Sequence, residues 1–290
     1  MSQWEGKSKG TPLGYRIFVA ILSGMGLYPA YFLLVFVASY YFFFSWRTNK
    51  ASYSFFRKRC GFSVPRSVIM VYWSYFMLGQ SLIDKVAVMS GLSDKFTSTS
   101  HGSENIIHMA GMKRGAIMLG AHLGNWEIAG HFIARYDTVV NILVYDAEHE
   151  QIKSYMDKVT GAKKFNLIPI KADLSHVYVM SEALMRGETI CMHADRFMPG
   201  NRTTAVPFMG EEALFPTGPF QLIKALKAPY TYVYGVKTGA THYDFYALPP
   251  KEVKDFPSLE AMVADYVHDL ESMTRKCPGQ WFNYYDFWAR

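Results

Sequence analysis

His122 and the groups around it are the residues of this chain whose types and spacing could do chemistry. Ala116-Ile117-Met118-Leu119-Gly120-Ala121-His122-Leu123-Gly124-Asn125-Trp126-Glu127 reads as an apolar strand running into a glycine-flanked turn, with a helix starting near Asn125. In open parallel sheets, ligands bind beyond the carboxyl ends of the strands, so His122 stands where chemistry is usually placed. Glu127 falls in the first helical turn, and a carboxylate there can fold back on the imidazole of a loop histidine. It would orient the ring, fix its tautomer and stabilise the imidazolium formed on proton abstraction. Helix N-terminal amides beside the pair favour a developing negative charge. This is the layout of a general base that activates a substrate hydroxyl directly. The chain has no G-x-S-x-G, P-loop, dinucleotide G-x-G-x-x-G or H-E-x-x-H. The alternative is a histidine that only caps the local turn.

A second apolar strand leads into Cys191-Met192-His193-Ala194-Asp195-Arg196, then Arg202 and Val206-Pro207-Phe208-Met209-Gly210. An arginine fork there suits phosphate or carboxylate, whereas a structural Asp–Arg turn would serve only the fold. His193 is either part of the site or a satisfied core histidine, and Cys191-x-His193 is poor grounds for metal. Phe215-Pro216-Thr217-Gly218-Pro219-Phe220 makes a tight loop against the same sheet end. Cys60, Cys191 and Cys277 are far apart and odd in number, which fits a reducing compartment.

The elements that must position these groups follow from periodicity. Short apolar runs at 116–119, 138–144, 166–170, 189–192 and 230–236 read as buried strands. Helical patterns at 126–136, 148–160, 175–185 and 220–227 alternate with them, and 68–86 and 258–276 add two more helices. The expected fold is α/β, a mostly parallel central sheet flanked by helices. Ahead of it, no charge stands between Arg16 and Arg47. As one helix that interval would be about 45 Å long, more than the roughly 30 Å of a bilayer core. Pro29 should kink it. Tyr40, Tyr41, Phe42, Phe43, Phe44 and Trp46 gather at its end, as the headgroup boundary selects. With basic residues on both flanks, a single span and a kinked hairpin that dips in and returns are equally consistent. Residues 1–60 are thus expected to anchor the chain in a membrane and 61–290 to form the α/β domain. Composition agrees: of 290 residues, 50% are hydrophobic and 16% aromatic, but only 19% are charged, against roughly 25% in soluble domains. Disorder is excluded. The formal net charge of +6 suits an anionic membrane or an acidic soluble partner, and no nucleic-acid motif is visible.

Taken in order, these residues resemble the lipid A late acyltransferases, within the glycerolipid acyltransferase superfamily and its H-x4-D/E motif. The resemblance is carried by the N-terminal apolar anchor and by His122-x4-Glu127 after a strand. Asp195-Arg196 followed by Val206-Pro207-Phe208-x-Gly210, and the closing Pro278-Gly279-Gln280-Trp281-Phe282, complete it. It implies transfer of a fatty acyl chain from acyl carrier protein or coenzyme A to a hydroxyl of a membrane glycolipid, a lipid A precursor above all. Lysophospholipids and other acceptors, and a membrane lipid hydrolase, stay open. The resemblance implies His122 as base and Glu127 as its orienting acid, with Asn125 and Gly124 as oxyanion or positioning groups. Asp195, Arg196, Arg202 and Gly218 would contact substrate. It implies no metal or redox cofactor, and a catalytic domain on the cytoplasmic side of the inner membrane.

Overall fold

In the computed structural model, which describes residues 12–125, 128, 139–145, 165–171 and 173–288, the uncharged N-terminal interval forms two helices. These are α1 (Pro12–Met25) and α2 (Leu27–Phe44). The break falls at Gly26, whose φ of 90° only glycine adopts readily, and not at Pro29. Pro29 sits in the first turn of α2, where its missing N–H would have had no intrahelical partner.

α3 (Trp46–Ser54) and α4 (Val64–Ala87) follow. Leu27, Ala30, Tyr31, Leu34 and Ala38 form one buried stripe of α2. That stripe runs antiparallel along α4: Tyr41 stacks on Tyr75, with centroids 6.0 Å apart. The Leu34 side chain occupies the space a Cβ at Gly79 would take. The opposite stripe, Tyr28, Phe32, Phe36, Tyr40, Phe43 and Phe44, is more than half exposed. An apolar helix of 18 residues, long enough to cross a membrane, therefore lies with one side on the protein and the other bare.

The remaining elements are β1 (Thr97–His101), α5 (Ser103–Gly111), β2 (Ala116–Gly120), β3 (Val140–Tyr145), β4 (Phe165–Ile170), α6 (Ser175–Met185), β5 (Thr189–His193), β6 (Thr203–Phe208), β7 (Glu211–Pro216), α7 (Gly218–Leu226), β8 (Tyr230–Lys237), β9 (His242–Ala247) and α8 (Leu259–Lys276). Seven strands make one sheet in the order β1-β9-β8-β2-β5-β3-β4. β8, β2, β5, β3 and β4 are mutually parallel; β9 runs against β8 and carries β1 parallel to itself. The five strands expected from apolar runs are all present, and the expected mostly parallel α/β sheet is the observed one. The expected helices 126–136 and 148–160 fall, Ile128 apart, outside the described residues.

β1, β9 and the β6–β7 hairpin were not expected, since their sequences are polar or broken by Pro207. The hairpin turns on Met209 and Gly210, both at positive φ (52° and 85°), the geometry of a two-residue turn matched to strand twist. A hydrogen bond of 2.6 Å from the Met209 N–H to Glu271 Oε2 supports the strained methionine. α8 seals one face of the sheet: Met262, Val263, Tyr266, Val267 and Leu270 join Tyr230, Tyr232, Phe208, Phe215 and Trp281 in the main core.

Candidate active site

Strand register builds the site. β2 and β5 are neighbours, with Gly120 paired to His193, so the chain leaves both strands side by side. Two residues further on, His122 and Asp195 meet. The His122 ring Nδ1 lies 2.8 Å from Asp195 Oδ1, and the His122 backbone N–H donates to Oδ2 of the same carboxylate at 3.0 Å. The acid is sealed, its side chain 1% exposed, while the imidazole is 27% exposed. Burial works to raise the Asp195 carboxyl, but the His122 imidazole with its hydrogen bonds, then Arg196 and His193, outweigh it and hold the group well below the usual carboxylate range. Asp195 is thus an anion aimed at His122.

His193 stands behind the pair, its ring edge-on to His122 at a centroid distance of 4.4 Å. Burial first, then the neighbouring His122, push its imidazole down to about 3, so it stays neutral near pH 7. The ligand atoms of His122, His193 and Asp195 all lie within 4.8 Å of one another, a group with the spacing of a metal site. Both Asp195 oxygens already accept hydrogen bonds from His122, which is the arrangement of a base and its orienting acid.

The turn that carries His122 is clamped by backbone bonds. Gly124 has φ +70°, and a Cβ there would come within 2.0 Å of the Gly235 carbonyl oxygen; only glycine lets the turn lie this close to β8. The Gly124 N–H donates to the Gln280 carbonyl at 2.8 Å, the Asn125 N–H to the Gly235 carbonyl at 2.6 Å, and the Phe282 N–H to the His122 carbonyl at 2.9 Å. The Asn125 amide donates to the Ser81 carbonyl at 2.8 Å, and its Oδ1 accepts from the Ile128 N–H at 3.3 Å. These donors, which the sequence suggested for an oxyanion, are committed to holding the turn.

Of the groups expected at substrate, Asp195 faces His122 instead, because a buried carboxylate beside an imidazole is held by that ring. Arg196 donates to the Phe282 carbonyl, and its guanidinium lies 5.9 Å from the Tyr285 ring centroid. Arg202 is exposed, and its carbonyl accepts from the Thr217 N–H (3.0 Å) and Oγ1 (3.2 Å), which brings it beside Gly218 at the start of α7. Glu127 lies outside the described residues.

Missed from sequence were the pairing of Asp195 with His122 and the work of the C-terminal segment. That segment supplies the Gln280 and Phe282 bonds and packs Trp281 against Phe55, Phe208 and Phe287 at 4.9–5.3 Å. The one available signal was Pro278-Gly279-Gln280-Trp281-Phe282 itself.

No curated protein matches the chain by sequence. Among solved structures, the crystal structure of the 1-acyl-sn-glycerophosphate (LPA) acyltransferase PlsC from Thermotoga maritima is similar over 79% of this chain and 93% of that one. The identity is 13% and the TM-score 0.39. The family model for bacterial lipid A biosynthesis acyltransferases matches residues 67–288. With its apolar N-terminal helix and its histidine site, the chain belongs to the bacterial lipid A biosynthesis acyltransferase family and is a membrane acyltransferase.

Proposed function

We propose that the protein moves a fatty acyl chain from an acyl thioester, carried by acyl carrier protein or coenzyme A, to a hydroxyl of a lipid A precursor, with His122 as general base. The observation that carries this is the half-open imidazole fixed at Nδ1 by a sealed carboxylate. With Nδ1–H donating to Asp195, the lone pair is on Nε2. Nε2 takes the acceptor's hydroxyl proton as the oxygen attacks the thioester carbonyl. The tetrahedral intermediate then collapses, the C–S bond breaks, and the departing sulfur takes the proton from the imidazolium. Asp195 stabilises that imidazolium. Glu127 is a second carboxylate, five residues after His122 at the end of the H-x4-E motif, and we assign it to orienting the ring or the acceptor.

Gly124 and Asn125 hold the turn. Arg196 holds the C-terminal segment beside it, and Arg202 with Gly218 forms the side on which an anionic group of donor or acceptor would rest. Residues 61–290 form the catalytic domain and residues 1–60 the anchor. The net charge of +6 favours encounter with an acidic carrier protein, and a thioester donor made in the cytosol puts the domain on the cytoplasmic face of the inner membrane.

The test is a purified His122→Ala protein given a radiolabelled acyl carrier protein thioester and a lipid A precursor. The expected loss is on the order of 10²–10⁴ in kcat, with the wild-type label recovered in lipid. Near-normal transfer by the variant removes the mechanism, and label recovered as free fatty acid makes the protein a hydrolase.

A further inference from the structure

Among the described residues, one fully buried charged pair takes no part in the mechanism. Asp84 on α4 and Lys237 at the end of β8 form an ion pair whose side chains are 0% and 2% exposed. Burial pushes the Asp84 carboxyl up and the Lys237 amine down, each opposed by the charge of the other. Such a pair is a poor stability device: apolar residues of similar volume commonly do as well or better. Four groups meet at it. Tyr31 of α2 and Tyr243 of β9 both donate to the Asp84 carboxylate, and the Lys237 amine also donates to the Tyr31 hydroxyl at 2.9 Å.

Three of these groups, Asp84, Tyr243 and Lys237, are one step from a clamp on the His122 turn, and Tyr31 reaches it through Asp84 and Lys237. Ser81, one helical turn before Asp84, offers its carbonyl to the Asn125 amide, which also reaches the Tyr243 hydroxyl at 3.5 Å. Gly235, two residues before Lys237, takes the Asn125 N–H. Lys237's own N–H and carbonyl bond the Gln280 side chain at 2.9 and 2.8 Å, and the Gln280 carbonyl takes the Gly124 N–H.

We infer that Asp84 and Lys237, closed by Tyr31 and Tyr243, are positioning residues that register the membrane helix α2, α4, β8 and β9 against the His122 turn. Apolar contacts between these elements tolerate sliding, whereas a carboxylate shared by one amine and two hydroxyls has one arrangement. Docking of α2 and alignment of the base are then a single event. The inference rests on His122 acting as base.

The test uses the full chain in lipid vesicles, with the labelled carrier thioester and lipid A precursor. An Asp84→Leu/Lys237→Met double variant removes the pair without leaving a lone buried charge. It is expected to melt near the wild-type temperature, with kcat lowered about tenfold or more and KM within about twofold, since a misplacement of 1 Å can cost about 10²-fold. Tyr31→Phe keeps the pair but unhooks α2; it should lower kcat about threefold to tenfold, and should cost nothing further in the double-variant background. Wild-type kcat in the folded double variant, or additive losses on combining the two, overturns the inference. If the double variant does not fold, Tyr31→Phe decides, and an unchanged kcat overturns it. His122→Ala alongside separates the failures: activity there sinks the base assignment, whereas an inactive His122→Ala beside a fully active double variant sinks only the positioning role.

Discussion

Asp195 turns both carboxylate oxygens onto His122, one to the ring at 2.8 Å and one to the backbone N–H at 3.0 Å. The first bond sets the tautomer, and the second ties the end of β5 to the turn that leaves β2. Asn at position 195 would keep one acceptor and put an N–H₂ where the other stood, so one His122 donor would face a donor. Asp195→Asn is expected to lose about 10²–10⁴ in kcat with little change in KM, measured by transfer of labelled acyl chain. A variant within threefold of wild type would show that the carboxylate does not act through the ring.

Gly124 is where the fold leaves no tolerance. An alanine there must take a left-handed conformation, costing roughly 1–2 kcal/mol, and its Cβ would lie 2.0 Å from the Gly235 oxygen. The turn must therefore lift from β8, stretching the Asn125–Gly235 bond and moving His122. Gly124→Ala should melt several degrees lower and lose about 10²-fold or more in kcat. A crystal structure should show the turn displaced. Retained activity would mean that the approach to β8 does not set the position of His122.

His122 and Asp195 could each be seen in the sequence as polar residues following apolar strands. That His122 and Asp195 face each other could not, because it depends on β5 lying beside β2, and the order of strands in a sheet is not local information. Asp84 and Lys237 were invisible for another reason: a single charge in an apolar helix or strand looks like a surface residue until the two are brought together. The closing Pro278–Gln280 turn was readable as a motif but not in its task, which is performed by backbone carbonyls and N–H groups that any sequence carries. The uncharged interval was readable as a membrane segment, yet Gly26 breaks it because Pro29 fits the first turn of α2 without strain.

The bare stripe of α2 makes a separate prediction. Phe32, Phe36 and Phe43 are exposed, and Phe32 and Phe36 touch each other edge to face at 5.4 Å. Burying each ring in lipid is worth about 1.5–3 kcal/mol. The triple variant Phe32→Ser/Phe36→Ser/Phe43→Ser should sediment with anionic vesicles far less than wild type. Its melting temperature in detergent should stay within a few degrees, because the buried stripe facing α4 is intact. Unchanged vesicle binding would remove this face as the membrane contact.

His193 gives the fold a proton-linked weakness that can be measured apart from catalysis. Its imidazole titrates at about 3 in the native protein and near 6.5 in an unfolded chain. Between those values the unfolded state binds a proton that the native state does not, so stability falls on acidification from about pH 6.5 towards 3. One such group contributes at most about 1.4 kcal/mol per pH unit. Above pH 7 both states are neutral at this position and the effect vanishes. His193→Gln should therefore change stability at pH 8 only through packing against His122, and its stability should decline less steeply than wild type between pH 6 and 4. Urea unfolding of the detergent-solubilised protein across that range would give both curves. If they run parallel, His193 carries no penalty for protonation, and its ring is not held neutral behind His122 and Asp195.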